Sequence, residues 1–252
     1  MKNLMTSGIG QFHTNEPDPE KPDKQLTPYL AIGLVGIRTL VDNPQHCDKE
    51  QAQWLIPSTL PSRNFGKQEH EGEFWMIWGD LDNHPPTLLD LAEIVSELTG
   101  NADFELYNSR GATLENQKAR LLIPLIKPLS GADWMLTQSI LNDKLQARGI
   151  KPDRATERPA QLCYLPNRGA FYRSRSKRDG TYFDPMATWQ AEITTQRDQL
   201  AAQRLALEAA KAGAKTRRES LTIVTDHSLD EVHAGLVLRY GERLIGVKPH
   251  PA

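Results

Sequence analysis

The stretch from residue 74 to residue 82 most constrains the fold of this chain. It reads Phe-Trp-Met-Ile-Trp-Gly-Asp-Leu-Asp, an apolar and aromatic run that ends in two carboxylates one residue apart. Aromatic and β-branched residues favour strands, and the Asn-His-Pro-Pro that follows cannot continue one. The pattern therefore predicts a strand that ends at the acids. Because side chains alternate along a strand, Asp80 and Asp82 should lie on the same face as Trp78.

Two neighbouring carboxylates repel each other, and the structure must offset this repulsion. Their repulsion is about 4 kcal/mol at 4 Å in a medium of effective dielectric near 20. Water at an exposed strand end would screen it, whereas a divalent cation with oxygen ligands would neutralise it for a chemical purpose. The spacing alone is not specific, because 32 of the 252 residues are acidic. The position at the end of the most strand-like run favours a metal site with Asp80 and Asp82 as ligands.

Composition excludes several classes of protein. The net charge of −2 gives no global field for a nucleic-acid partner, so any basic surface must be local. No apolar stretch approaches the roughly 18 residues that cross a bilayer, and the N-terminus lacks a signal-peptide core. Cys47 and Cys163 are too few for a zinc cage or a disulfide framework. We expect a soluble, cytoplasmic protein without a membrane partner.

Alternating strand and helix patterns cover residues 74–166. After the first strand, Thr87 should cap a helix that ends before Gly100, and strands follow at Phe104–Tyr107 and Ala119–Leu125. Ser130 should cap a second helix, which ends at Gly149, before a strand at Gln161–Pro166. The order β-α-β-β-α-β is that of ferredoxin-like and RNA-recognition-like (RRM-like) domains. The predicted fold class is α+β, an RRM-like βαββαβ core with an N-terminal α/β extension and a C-terminal helical tail.

The remaining segments predict the domain organisation. Residues 1–27 are charged and Pro-containing and indicate a flexible leader, and residues 28–185 form the main domain. Within it we expect a strand or short helix at 28–41, a short helix at Asp48–Leu55 and a loop over 58–73. Residues 186–218 indicate a basic, Ala-rich connecting helix, over Trp189–Lys215. The short C-terminal segment, 219–252, should contain a helix from Ser228 and a hairpin fragment from Arg239 to Lys248.

Strand parity extends the site beyond the two acids. If Asp80 and Asp82 face the open side of the sheet, Arg120 on the third strand and Gln161 on the fourth should share that face. Both are polar residues in apolar runs, and solvation of a sheet edge is the alternative explanation for each.

A basic run begins shortly after the predicted core. Residues 172–178 read Tyr-Arg-Ser-Arg-Ser-Lys-Arg, with a further aromatic residue at Phe171. Such a segment could follow a phosphate backbone, and a solvated loop is an equally good interpretation. The candidate DNA contacts are Arg173, Arg175, Lys177 and Arg178.

Other chemistries lack their motifs. The sequence contains no HExxH, no GxSxG, no Walker A loop and no GxGxxG, and its seven histidines are scattered. His84 follows the acids closely, but a loop histidine is the simpler interpretation. The acids with basic and amide partners fit metal-assisted phosphoryl transfer.

The motifs together resemble the primase-polymerase domain of the archaeo-eukaryotic primase superfamily, in the versions found in phage and plasmid replication proteins. The resemblance covers roughly residues 28–185. It is carried by Asp80-Leu81-Asp82, by Tyr107-Asn108-Ser109 with Glu115-Asn116, by the strand Arg120-Leu-Leu-Ile-Pro-Leu125, and by Asp153 followed by Gln-Leu-Cys-Tyr-Leu-Pro at 161–166.

The resemblance implies an RRM-like catalytic sheet and a Mg²⁺ or Mn²⁺ site formed by Asp80, Asp82 and Asp153. It places Ser109 and Arg120 at the incoming nucleotide, where Gln161 could join them. Relatives carry a triphosphate-binding histidine at the position that aligns with Ala112, so Arg110 or Lys118 would have to supply that charge. A structural turn acid is the alternative interpretation of Asp153.

The implied function is a DNA primase/polymerase-like nucleotidyltransferase that acts on NTP or dNTP and a single-stranded DNA template. It leaves a replicative helicase open as a further partner. The alternative is a non-catalytic replication or initiation protein that binds nucleic acid through a degenerate primase fold. A metal-dependent nuclease using the same acids is a third. Paired aromatic residues of RNA-binding RRM domains are absent from Ala119–Leu125, which argues against RNA binding by stacking.

Overall fold

A computed structural model describes residues 4–10, 13–15 and 26–222 of the chain. The chain divides into two compact units, Met1–Gln196 and Arg197–Ala252. The predicted helix at Ser228 and the hairpin at Arg239–Lys248 lie outside the described residues, as does most of the predicted segment 219–252. The domain boundaries at residues 185 and 218 stay predictions.

Four short strands form the first antiparallel sheet. They are β1 (Met5–Ile9), β2 (Leu30–Ile32), β3 (Gln53–Ile56) and β7 (Cys163–Tyr164), and their order in the sheet is β2-β1-β3-β7. The predicted leader is therefore wrong over residues 5–9, because β1 pairs with both β2 and β3 and Met5 is buried. Helix α1 (Leu34–Asp42) follows β2, so residues 28–41 supply both a strand and a helix.

The second antiparallel sheet carries the candidate acids. Its strands are β4 (Glu73–Leu81), β5 (Phe104–Asn108), β6 (Ala119–Ser130) and β8 (Ser174–Lys177), in the order β4-β6-β5-β8. The α+β class is confirmed. The predicted fourth strand is not: only Cys163–Tyr164 is extended, and it pairs with β3 in the first sheet. The fourth strand of this sheet is β8, which comes from the basic run that the sequence left open as a phosphate-binding segment or a solvated loop.

The two long helices begin and end where the sequence predicted. Thr87 caps α3 (Leu88–Thr99) by accepting the Asp90 N–H, and Gly100 ends it in the left-handed conformation. Ser130 caps α4 (Gly131–Ala147) by accepting the Asp133 N–H. Both helices have local capping residues, which is why their N-terminal ends could be predicted without tertiary information.

Two local predictions in the N-terminal part are wrong. The expected helix at Asp48–Leu55 is a single 3-10 turn, Lys49–Gln51, followed by β3, whose Trp54, Leu55 and Ile56 are fully buried. The expected loop over 58–73 contains α2 (Phe65–Glu71), capped by the Asn64 side chain. At the other end, α5 (Pro185–Thr188) precedes α6 (Gln190–Thr222), close to the predicted helix. None of the described helices has the length and apolarity needed to span a membrane.

Strand β4 lies at the edge of its sheet, yet its interior residues are buried. Its outer backbone groups are paired by residues from outside the sheet. At its start, the Trp75 N–H donates to the Pro57 carbonyl at 2.9 Å, and the Thr59 N–H donates to the Glu73 carbonyl at 3.0 Å. This pairing protects the first part of an edge that would otherwise present unpaired N–H and C=O groups.

Helix α4 pairs the middle of the same edge with side chains. The Trp134 indole N–H donates to the Met76 carbonyl at 2.8 Å. The Gln138 amide binds both backbone groups of Trp78, accepting its N–H at 3.0 Å and donating to its carbonyl at 2.6 Å. A side-chain amide thus replaces one residue of a neighbouring strand, and Gln138 is itself fully buried.

Replacing Gln138 with Ala should destabilise the protein, because it leaves two backbone groups of Trp78 unpaired in the interior. Each such group costs about 1–3 kcal/mol, so we expect the free energy of unfolding in urea to fall by about 3 kcal/mol. Gln146→Ala, at an exposed position on the same helix, is the matched control and should change stability by less than about 0.5 kcal/mol. Equal effects of the two variants would contradict this role of Gln138.

Candidate active site

The register of β4 against β6 places Asp80 directly opposite Arg120. The Asp80 Oδ2 and Arg120 Nη2 atoms are 3.4 Å apart, and one residue beyond the strand the Asp82 Oδ1 lies 3.6 Å from the Lys118 Nζ. Each acid of the pair thus has its own cation on the neighbouring chain segment. The predicted contact between the strand-end acids and Arg120 on the third strand is present.

Asp80 is the more buried of the two acids, with a side chain 17% exposed against 53% for Asp82. Its Oδ1 is buried and has no hydrogen-bond partner among the described residues. Burial raises the pKa of Asp80, the positive charge of Arg120 opposes the rise, and the carboxylates of Asp82 and Asp153 add to it. The site therefore concentrates negative charge around one poorly solvated carboxylate.

Asp153 reaches this end of β4 through its backbone. Its N–H donates to the Asp80 carbonyl at 2.8 Å, which continues the pairing of the strand's outer edge. Its side-chain Oδ1 accepts the Ala155 N–H at 2.8 Å and so caps a short 3-10 helix, Arg154–Glu157. Asp153 is therefore a turn acid that lies next to Asp80, and its role as a metal ligand stays a prediction.

The turn after Asp82 is held by Asn116, whose importance the sequence analysis did not recognise. The Asn116 amide donates to the Asp82 carbonyl at 3.1 Å and accepts the His84 N–H at 3.1 Å. His84 has a positive φ of 44°, which is uncommon for a residue other than glycine. His84 therefore shapes the turn that ends the strand, in agreement with its interpretation as a loop histidine.

A cavity of about 420 Å³ opens beside Asp82, the more exposed of the two acids. Four cationic side chains line it together with Asp82, namely Lys49, Arg110, Lys118 and Arg120. Its remaining lining residues are Ala52, Ser109, Gly111, Tyr164 and Asn167. The sequence analysis predicted Ser109, Arg110, Lys118 and Arg120 at the site, and the structure brings them together. It missed Lys49, Tyr164 and Asn167, which belong to or flank strands of the first sheet.

Asn167 fixes the part of the wall that comes from the first sheet. Its amide donates to the Cys47 carbonyl at 2.9 Å, and its side-chain oxygen accepts the Cys47 N–H at 3.2 Å. Two residues further on, the Lys49 Nζ lies 5.2 Å from the centroid of the Tyr164 ring. A reciprocal side-chain clamp of this kind gives no local sequence signal, because its two halves are 120 residues apart.

Polar groups under the cavity converge on the Tyr164 carbonyl. The Tyr107 hydroxyl donates to it at 2.9 Å, and the Arg120 Nη1 approaches it at 3.4 Å. Burial raises the pKa of Tyr107, and it raises the pKa of the adjacent Cys163 thiol to about 12. Burial opposes the charge on Arg120, but the Asp80 carboxylate outweighs it and raises the pKa of the guanidinium. Arg120 therefore stays charged while both of its buried neighbours stay neutral.

One predicted nucleotide position, Gln161, does not line the cavity, and Ala112 is buried. Ala112 is 3% exposed and lies in a turn that is closed by the hydrogen bond from its N–H to the Ser109 carbonyl. Gln161 lies in the loop before β7 and is not among the described residues that line the cavity. Arg110 does line the cavity and also pairs with Asp48 at 2.9 Å.

The basic run is divided between two environments. Arg178 makes two contacts with the Asp42 carboxylate, at 2.8 and 3.0 Å, and contacts the fully buried Glu105 at 2.8 Å. Glu105 also accepts from Arg38 at 2.8 Å, and Arg38 reaches the buried Asp103 at the same distance. Arg178 thus links α1 to β5 as part of a buried ionic network, a role that its position in a charged run did not suggest.

The other cations of the run follow the parity of β8. Ser174 pairs with Tyr107, which pairs with Arg120, so these three residues share the face of the acids. Arg175 pairs with Leu106 and therefore lies on the opposite face, where it and Lys177 border a groove against α3. Arg173, just before the strand, is exposed and lies over the ring of Phe171.

The residue types at the strand end fit a hard divalent cation, which prefers carboxylate oxygens. Asp80 offers a buried oxygen without a partner, Asp82 is half exposed, and Asp153 is adjacent. Within the described residues, no group of three or more His, Cys, Asp or Glu side chains is already arranged around one point. Two of the carboxylates instead contact Arg120 and Lys118.

No protein-family model matches this sequence, and neither does any curated protein. A solved structure with some likeness is the AEP domain (PP-N190) of the Cyanophage S-2L Primase-Polymerase (PrimPol). It is 16% identical, with a TM-score of 0.40, over 74% of this chain and 87% of that chain. A likeness this distant does not decide the function, which has to be inferred from the geometry of the site.

The thiol of Cys163 gives a test of the buried region under the cavity. A thiol with a pKa near 12 is ionised in roughly one molecule in ten thousand at pH 8, so it should not react with a thiol reagent in the native protein. Cys47, which is partly exposed, should react and serves as the internal control. We expect titration with a chromogenic disulfide to count one thiol before denaturation and two after it. Two reactive thiols in the native protein would contradict this arrangement.

Proposed function

We propose that this protein is a metal-dependent nucleotidyltransferase of the primase-polymerase type, which joins nucleotides to a 3′-hydroxyl on single-stranded DNA in phage or plasmid replication. The observation that carries the proposal is that carboxylates and cationic side chains lie around the same cavity. Carboxylates stand at the end of β4, and four cations surround the adjacent space. A nucleoside triphosphate with its divalent metal ion needs both kinds of group at once.

The size and chemistry of the cavity agree with this substrate class. Ligand sites commonly enclose about 300–1,000 Å³, and this cavity encloses about 420 Å³. Arginine and lysine side chains are the usual partners of phosphate oxygens. Lys49, Arg110, Lys118 and Arg120 would hold the triphosphate, with the Ser109 hydroxyl as a further donor. Lys49 would supply charge that the buried Ala112 cannot.

Asp80, Asp82 and Asp153 would hold Mg²⁺ or Mn²⁺. Bound there, the ions would neutralise charge that develops on the reacting phosphate. In the proposed reaction the 3′-oxygen of the primer forms a bond to the α-phosphorus, the bond to the leaving pyrophosphate breaks, and the hydroxyl proton passes to solvent. Lys49, Arg110 and Lys118 would favour this reaction because they line the cavity in which the departing pyrophosphate carries its charge.

The template-binding surface is a separate part of the proposal. Arg173, Arg175 and Lys177 are the remaining candidates for contacts with the phosphate backbone, since the guanidinium of Arg178 is engaged by Asp42 and Glu105. Use of NTP or dNTP and a replicative helicase as a partner belong to the same proposal.

Replacing Asp80 with Asn should abolish nucleotide incorporation while the protein stays folded, because it removes a charged ligand and keeps the side-chain shape. Losing a residue that merely supports a metal ligand costs 10–100-fold, so we expect a loss of at least about 100-fold. The measurement is primer synthesis and extension on single-stranded DNA with Mg²⁺ or Mn²⁺. Asp198→Asn, at an exposed acid on α6, is the matched control.

The other outcomes decide between functions. Retained incorporation by the Asp80 variant would remove the assignment. Absence of product from the unaltered protein under both metals, with DNA binding retained, would instead indicate a non-catalytic replication or initiation protein. Metal-dependent shortening of the DNA would indicate a nuclease that uses the same acids.

Replacing the exposed Arg173 and Arg175 and the partly exposed Lys177 with Ala should flatten the salt dependence of DNA binding. Each phosphate contact contributes about 0.7 to the slope of log K against log salt on single strands, so the slope should fall by about 2. A charge-matched control replaces three exposed cations elsewhere: Lys67, Lys127 and Arg158. An unchanged slope in the first variant, or an equal change in the control, would exclude this surface as the template contact.

A further inference from the structure

The ion pair between Asp80 and Arg120 is longer than the pairs that Arg148 and Arg178 form in this protein. Arg148 binds the Glu97 carboxylate with two contacts, at 2.7 and 2.5 Å, and Arg178 binds Asp42 in the same two-pronged way. Arg120 instead reaches one oxygen of Asp80 through one nitrogen, at 3.4 Å. A paired guanidinium and carboxylate favour two parallel hydrogen bonds, so this pair is incompletely formed.

Both partners also keep an unused hydrogen-bonding atom in the interior. The Asp80 Oδ1 and the Arg120 Nε are buried, and neither has a partner among the described residues. Buried polar atoms in native proteins are nearly always paired, and exceptions call for an explanation. Here the unused oxygen is an acceptor suited to a cation, and the unused N–H is a donor suited to an anion.

The cavity offers the Arg120 guanidinium an alternative position to its contact with Asp80. Arg120 lines the cavity beside Lys118 and Arg110, where a phosphate group would lie under the proposed function. Its Nη1 already approaches the Tyr164 carbonyl at 3.4 Å, and its guanidinium lies 5.9 Å from the centroid of the Tyr164 ring. A shift of the guanidinium towards the cavity would therefore keep contacts with Tyr164 while its distance from Asp80 increased.

We propose that Arg120 acts as a latch on the metal site: it occupies Asp80 until a nucleotide phosphate draws it into the cavity, so that nucleotide and metal ion bind cooperatively. This inference rests on the proposed function, since it concerns the same carboxylate and the same cavity. Arg120 and a divalent cation compete for one buried carboxylate, and their like charges repel at close range. An anion that binds the guanidinium removes both obstacles.

Linkage makes the proposal quantitative. If the nucleotide raises the affinity for the metal ion by some factor, the metal ion raises the affinity for the nucleotide by the same factor, and such factors usually lie between 5 and 150. A direct bond between metal ion and phosphate also produces cooperativity. The latch is therefore tested where no nucleotide is present, because a bond between metal ion and phosphate cannot contribute there.

The experiment measures Mn²⁺ affinity by electron paramagnetic resonance on the full chain without nucleotide. Arg120→Gln removes the competing charge and should raise the affinity by about tenfold. Arg110→Gln is the matched control, because Arg110 lines the same cavity but pairs with Asp48. An unchanged affinity in Arg120→Gln, or an equal rise in Arg110→Gln, would overturn the latch.

A second experiment changes Asp80 instead of Arg120. Its Asp→Asn substitutions are nearly isosteric, so it remains informative even if Arg120→Gln does not fold. In EDTA, Asp80→Asn should free Arg120 and raise the affinity for a non-hydrolysable nucleoside triphosphate by about tenfold. Asp82→Asn, which leaves the Asp80 and Arg120 pair in place, should raise it less. Equal effects of the two variants would overturn the latch.

Failure of the inference and failure of the proposed function give different results. If the unaltered protein binds Mn²⁺ and nucleotide together through Asp80, but Arg120→Gln leaves the nucleotide-free affinity unchanged, only the latch is lost. If the unaltered protein does not bind Mn²⁺ even with nucleotide present, both the latch and the metal-dependent function are overturned.

Discussion

The closed outer edge of β4 is the constraint on which the rest of the site depends. A strand buried along most of its length at the end of a sheet needs partners for its outer N–H and C=O groups, since water cannot reach them. Gln138 provides them at Trp78, and the backbone of Asp153 provides one at Asp80. The requirement that protects the edge therefore also brings the third acid beside the first, without a regular strand at that position.

The ion pairs of this protein differ in how completely their hydrogen-bonding atoms are paired. Asp103 and Glu105 are buried, and Arg38 and Arg178 bind them with several short contacts that tie α1 to β5 and β8. The pair at Asp80 and Arg120 is long and incomplete by comparison. A fully satisfied buried network rigidifies the structure around it. The same residue types thus form a complete network in one place and an incomplete pair in another.

Local signals allowed part of this architecture to be predicted from the sequence. Thr87, Gly100 and Ser130 mark helix ends through their own backbone and side-chain chemistry, and the acids of β4 follow an unmistakable strand pattern. Strands β1 and β3 gave no such signal, because four or five residues of extended chain acquire their structure only from distant partners. Position along a charged run could not separate Arg178, which is held in ion pairs, from its exposed neighbour Arg175, because the face of each depends on the pairing of β8.

The clamp between Cys47 and Asn167 has a consequence for how the protein acquires its shape during synthesis. One wall of the cavity comes from the N-terminal third of the chain and is fixed by a residue 120 positions later, next to the pairing of β3 with β7. Contacts this far apart in sequence form late, since the intervening chain must be ordered first. A nascent chain can therefore assemble the strand that carries the acids well before it completes the cavity beside them, and charge is concentrated there only when synthesis has passed Asn167.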